Sequence, residues 1–133
     1  MNPQPLQRKR TKGFRYPEGA RVLTVTRGTV YGNPYIVTKS SDSFFVTRGK
    51  YFSRWYEKRD AAQSAIDNYR EYIQEIRDTS PAIYAAMMRD IWTADYVACF
   101  CDLNMPCHRS VLIELATEWA RTTAQAEPTK GAA

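Results

Sequence analysis

Apolar positions in this 133-residue chain follow a strand-like period in the first half and a helix-like period in the second. Arg21 to Thr26 (RVLTVT) interleaves β-branched residues and runs out at Gly28, the pattern of a strand. The segment Thr29 to Tyr35 (TVYGNPY) contains Gly32-Asn33-Pro34, a strong turn signal. Tyr35–Thr38 and Ser43–Thr47 read as two short strands around a hairpin turn at Lys39–Asp42. Gly49 to Tyr56 has aromatics at both parities and fits neither period. From Asp60 onward the pattern changes. Ala62, Ala65, Ile66, Tyr69, Ile73 and Ile76 recur at intervals of three and four and predict a helix that fades by Asp78. Asp60 and Gln63 have the spacing of a capping box at its start. Ser80-Pro81 predicts a second helix through Arg89, with proline at its first position. Asp95 to Cys101 (DYVACFC) is apolar at both parities, as a buried central strand is. After a loop over Asp102–Met105 and the run Pro106-Cys107-His108-Arg109, a last helix turns Val111, Leu112, Leu115, Ala116 and Trp119 inward.

This order predicts an α/β fold: a small Rossmann-like layered domain with a partly parallel sheet, an inserted β-hairpin and helices packed on the sheet. Residues 1–17 are expected to be a disordered basic arm, 18–122 a single α/β domain and 123–133 a flexible tail. In such sheets ligands lie beyond the carboxyl ends of the strands. The Tyr-Gly-Asn-Pro turn and the Cys101–Arg109 loop both follow predicted strands, so a site is expected where they meet.

Composition narrows the class. With 44% hydrophobic and 25% charged residues the chain is globular, and its length is enough for one domain with its own core. No apolar run reaches the roughly 18 residues of a membrane span, and the basic N-terminus does not read as a secretory signal, so a cytoplasmic protein without membrane contact is expected. The net charge of +5 is unevenly spread. Arg8, Lys9, Arg10, Lys12 and Arg15 stand in the first fifteen residues without an acid, and residues 21–59 hold eight bases against Asp42 and Glu57. Residues 60–127 are acidic. The basic half also contains Tyr31, Tyr35, Phe44, Phe45, Tyr51, Phe52, Trp55 and Tyr56. Cations interleaved with aromatics suit phosphates and stacked bases, whereas the plainer reading makes the aromatics sheet core and the charges a solvated rim.

Candidate chemistry gathers at the cysteines. Cys99 and Cys101 share one face of the predicted strand, and Cys107-His108-Arg109 opens the last helix. Free N–H groups at that helix start suit an anion, with Arg109 as a bidentate clamp, His108 as a proton donor and Cys107 with its thiolate favoured. A competing arrangement places zinc on Cys99, Cys101, Cys107 and His108, although the spacing differs from the usual zinc knuckle. A third makes the cysteines small buried apolar residues. An odd count of three argues against a disulfide framework. Asn33, whose amide donates and accepts, is a candidate reader of a base or ribose edge, with the simpler alternative of an Asn that shapes its own turn. Tyr31, Arg27, Arg59 and Cys101 complete the expected ligand-binding set.

Taken together, Thr26-Arg27, Tyr31-Gly32-Asn33-Pro34-Tyr35, Arg59-Asp60-Ala61-Ala62, Tyr69-Arg70-Glu71-Tyr72, Ala98-Cys99-Phe100-Cys101 and Cys107-His108 resemble domain of unknown function 4326, over about residues 21–118. The segment Lys39 to Trp55 is an insertion relative to that pattern, and the basic arm lies outside it. The resemblance implies a small phage or bacterial α/β protein acting in the host or bacterial cytoplasm, and brings no reaction with it.

The function expected from the residues is binding, with processing as an extension, of a nucleotide, nucleoside or related phosphorylated ligand between the Gly-Asn-Pro turn and the Cys-His-Arg helix start. As an enzyme it would carry out nucleotide N-glycosidase-like chemistry, with His108 and Cys107 as the catalytic pair. No cofactor is expected apart from the zinc alternative. Two other readings stand beside it: a nucleic-acid-binding protein using the basic arm and the aromatic insert, and a phage inhibitor or adaptor of a host protein.

Overall fold

Val97, Ala98 and Cys99 are buried on both faces, so the strand that carries them needs a partner along each edge. The computed structural model, which describes residues 2–101 and 103–123, supplies both. Strand β1 (Gln4–Gln7) and strand β2 (Val22–Thr24) flank β6 (Tyr96–Cys99) in a parallel sheet of order β1-β6-β2. Gln4 is registered with Tyr96 and Gln7 with Cys99, while Val22 faces Tyr96 on the other edge. The pairing continues past the strand ends through Arg8 N–H to the Cys99 carbonyl (2.7 Å) and Val25 N–H to the Ala98 carbonyl (2.9 Å).

The basic arm therefore does not begin as a free segment. Residues 4–7, expected to be disordered, form an edge strand, and Pro3 beside them is fully buried. Gln4-Pro5-Leu6-Gln7 has no alternation of its own, and a proline fits only at a sheet edge. Its conformation comes from the open edge of β6.

The insert between β2 and the first helix is a separate antiparallel sheet of order β3-β4-β5, with β3 at Ile36–Ser40, β4 at Ser43–Arg48 and β5 at Tyr51–Trp55. The expected hairpin is β3-β4, turning at Ser41-Asp42. The ambiguous segment adds the third strand, making the insert one strand larger than expected. Tyr51, Ser53 and Trp55 share the face of Val46, which packs on Ala61 and Ala65, whereas Phe52 and Arg54 point away. Aromatics on both faces had hidden the period.

Helix α1 (Lys58–Thr79) buries Ala61, Ala65, Tyr69 and Ile73, close to the predicted stripe. It begins earlier than Asp60, from Glu57 in extended backbone, and no side chain caps it. Asp60 sits in the first turn as a favourable charge for the helix dipole, and Gln63 bonds Asp67 rather than closing a capping box. Helix α2 (Pro81–Trp92) begins at the predicted proline, and α3 (His108–Thr123) packs on α2, β1 and β6. Val25, Tyr69, Ile73, Met88, Ile91, Val97 and Leu112 form a continuous, fully buried core. Among the described residues the fold is mixed α/β, with one parallel sheet, one antiparallel sheet and three helices. No helix among the described residues is long and apolar enough to cross a membrane. The expected tail lies, beyond Thr123, outside the described residues.

Candidate functional site

The turn after β2 folds back tightly on itself. Thr29 N–H and Gly32 N–H donate to the carbonyls of Thr26 and Thr29 (3.2 and 3.0 Å). A Cβ on Gly32 would lie 3.0 Å from the Arg27 Cα and 3.2 Å from the Thr26 oxygen, so any larger residue would have to push the backbone of the turn aside. Asn33 is buried. Its Nδ2 donates to the Ala65 carbonyl of α1 (3.2 Å), and its Oδ1 accepts from Tyr35 N–H (2.9 Å). Arg27 donates to the carbonyls of Asn33 and Tyr35. The amide expected to read a base thus shapes the turn and ties it to α1.

Tyr31 turns inward rather than toward a ligand. Its hydroxyl donates to Asp90 (3.2 Å), its carbonyl accepts from Tyr69 (2.6 Å), and burial together with Asp90 pushes its pKa up to about 12. Arg59 reaches the Asn104 carbonyl (3.1 Å) and braces the loop before α3.

At the junction of β6 and α3, the Sγ atoms of Cys99, Cys101 and Cys107 lie within 4.8 Å of one another, with Cys99 and Cys101 at 3.9 Å. The strand ends at Cys99, so the Cys99–Cys101 approach comes from the bend after it and not from a shared strand face. The neighbouring thiols of Cys101 and Cys107 lower the pKa of Cys99. Cys107 moves the other way: its proton is held between Cys101 and Cys99, and burial raises it further. The expectation of a thiolate favoured at Cys107 by the helix start is not met, because contacts with two neighbouring thiols and burial both raise its pKa. His108 donates from Nε2 to the Val25 carbonyl and packs edge-on against Tyr69 at 5.2 Å. That bond leaves Nδ1 with the lone pair, 3.8 Å from the Cys107 sulfur. Burial holds the imidazole below the ordinary histidine pKa and so neutral at pH 7.

Arg109 is the largest departure from expectation. It is 1% exposed, and its Nη1 donates to the carbonyls of Leu6 and Cys99, both at 3.2 Å. Helical side chains lean toward the N-terminus of their own helix, and here that direction leads to the carbonyls at the ends of two strands.

What remains encloses a cavity of about 530 Å³, and Asn33 and His108 both open on it. All three parallel strands feed it from their carboxyl ends: Arg10 follows β1, Thr26 and Arg27 follow β2, and Phe100 and Cys101 follow β6. The first half of α1 contributes Lys58, Ala62, Ala65 and Ile66, and the remaining wall includes Tyr35, Cys99, Cys107 and His108. Among the described lining residues three are cationic and none is acidic. Arg10 stacks over Phe100 at 4.1 Å. Of the expected site residues, Arg27, Asn33, Cys101, Cys107 and His108 come together here, whereas Tyr31, Arg59 and Arg109 do not line the cavity. Arg10, Lys58, Tyr35 and Phe100 were missed. The only hint of Arg10 was the basic run around it.

Comparison with known proteins gives one match. The family model described as a domain of unknown function (DUF4326) matches residues 6–118, so the matched region begins inside β1 rather than at β2. No curated protein and no solved structure matches the chain.

Proposed function

The chain belongs to the DUF4326 family, and from that footing we propose that its cavity binds a small phosphorylated ligand of the nucleotide or nucleoside class. The observation that carries this reading is the one-signed lining: Arg10, Arg27 and Lys58 face a hollow with no carboxylate among its described walls. Such a wall attracts phosphate. Its volume falls within the range of small-molecule pockets, about 300–1,000 Å³. Tyr35 and Phe100 offer rings, and Val37, Ala62 and Ile66 an apolar floor, for a base or sugar. Its place beyond the carboxyl ends of parallel strands is where α/β sheets take ligands.

The test is calorimetric titration with nucleoside monophosphates alongside the matching nucleosides. Phosphorylated members should bind more tightly. Lys58→Ala, which removes a cation without touching a described hydrogen bond, should weaken them about tenfold, the equivalent of about 1.4 kcal/mol, and leave nucleoside binding unchanged. Equal affinity for both classes would end this reading.

A second reading rests on a different surface. The outward face of the antiparallel sheet exposes Phe52 (68%) and Ile36, and Arg54 lies over the rings of Phe45 and Tyr56. Rings beside cations on a sheet suit single-stranded nucleic acid. On this reading an oligonucleotide binds with a steep salt dependence, and Phe52→Ala weakens it about tenfold while Lys58→Ala does not. An affinity indifferent to salt and to Phe52 would remove it. Deleting residues 1–15 is not a clean probe of the arm, because it also removes β1.

A further inference from the structure

We propose that the thiols of Cys99, Cys101 and Cys107, with His108 Nδ1 as fourth ligand, form a binding site for one thiophilic divalent metal ion of the zinc type. The inference is independent of the ligand reading above. Three sulfurs lie within 4.8 Å of one another on the end of a central strand and the start of a long helix, two elements fixed by the core. Around a tetrahedral ion with metal–sulfur bonds of about 2.3 Å, neighbouring sulfurs stand about 3.8 Å apart. The Cys99–Cys101 separation is 3.9 Å, too long for a disulfide, whose sulfurs are about 2.05 Å apart, and close to the edge of that tetrahedron.

Histidine supplies a second, independent observation. Metal-binding imidazoles characteristically donate their other N–H to a carbonyl or carboxylate, which fixes the tautomer and aims the free nitrogen at the ion. His108 does this: Nε2 donates to Val25, and Nδ1 faces the sulfur of Cys107 at 3.8 Å.

Plain packing accounts for this less well. A cysteine used as a small apolar residue is sealed in the core, but Cys101 is only half-buried and all three cysteines border the cavity. Charge also fits. Binding releases the thiol protons to solvent and leaves three thiolates around a divalent ion, a net negative centre. Arg10 and Arg27 share its cavity, and the Arg109 guanidinium sits on the Cys99 carbonyl. Thiolate softness selects zinc over magnesium or calcium.

The test uses the untagged full chain purified under reducing conditions. Elemental analysis should find about one zinc per chain, and Cys101→Ser, at the half-buried position, should abolish stoichiometric zinc. Replacing zinc with cobalt(II) should give intense tetrahedral ligand-field bands with sulfur-to-metal charge transfer, and His108→Ala should shift those bands. Should a variant fail to fold, the wild-type chain still decides: metal-loaded protein should resist alkylation at the half-buried Cys101, and chelator-stripped protein should not. A wild-type chain that is metal-free as purified and takes up neither zinc nor cobalt overturns the proposal, as does full zinc in Cys101→Ser. Cobalt bands unmoved by His108→Ala overturn the assignment of the fourth ligand. Nucleoside monophosphate titrations of loaded and stripped protein keep the two readings apart, since zinc content does not depend on whether a nucleotide binds.

Discussion

Arg109→Ala should lower the unfolding free energy by about 4 kcal/mol, measured by urea denaturation. The guanidinium is buried and donates to the carbonyls of Leu6 and Cys99, at the ends of β1 and β6. Hydrogen bonds from a charged donor contribute about 1.5–3 kcal/mol each, and removing a long buried side chain also opens a cavity. Arg109→Lys should recover only part of the loss, because an ammonium is more strongly hydrated than a guanidinium and costs more to bury at this site. A loss below about 1 kcal/mol for the alanine variant would show that the strand ends hold without this bridge. The outcome also bears on function: a ligand clamp would leave stability largely intact and alter binding alone.

The other large effect is expected at Tyr69. Its ring is fully buried between the β2 turn and α3, packs against His108, and carries a hydroxyl bonded to the Tyr31 carbonyl at 2.6 Å. Burial pushes its pKa well above the ordinary tyrosine value, so it stays a neutral donor at all working pH. Tyr69→Ala should cost about 4 kcal/mol, the range for emptying an aromatic site in a packed core. Tyr69→Phe keeps the ring and leaves the carbonyl without this donor, and should cost about 1 kcal/mol. Comparing the two midpoints in one denaturant series separates ring packing from the hydrogen bond. Equal losses would mean that the hydroxyl, and not the ring, holds the turn against the helix.

These two residues also mark how far the chain could be read directly. Strand β6 was legible because burial on both faces leaves an unbroken apolar run, and α1 because its stripe repeats along 22 residues. Strand β1 was not, since its conformation is imposed by an edge that forms only when distant segments meet. The same reason hid Arg10, which reaches the cavity only through that pairing. The cysteines and His108 could be found because they cluster within ten residues of chain. Position alone misassigned Arg109 and Tyr31: sequence gives the place of a side chain along an element but not the direction in which packing turns it. Asn33, expected to read a base or ribose edge, bonds within its own turn as the simpler alternative had it, and its contact with α1 depends on tertiary structure.

The parallel sheet also sets an order of events during synthesis. Strand β1 is made before the rest of its sheet, and among the described residues it pairs only with β6, which lies behind both α1 and α2 in the chain. Until that late segment emerges, neither β1 nor β2 has a hydrogen-bonding neighbour in this sheet, whereas the β3-β4-β5 meander closes through neighbouring residues as soon as it is made. Local contacts form quickly and distant ones slowly. The nascent chain therefore has a formed antiparallel sheet before its parallel one, and truncations that stop short of Tyr96 leave the N-terminal strand without a docking edge.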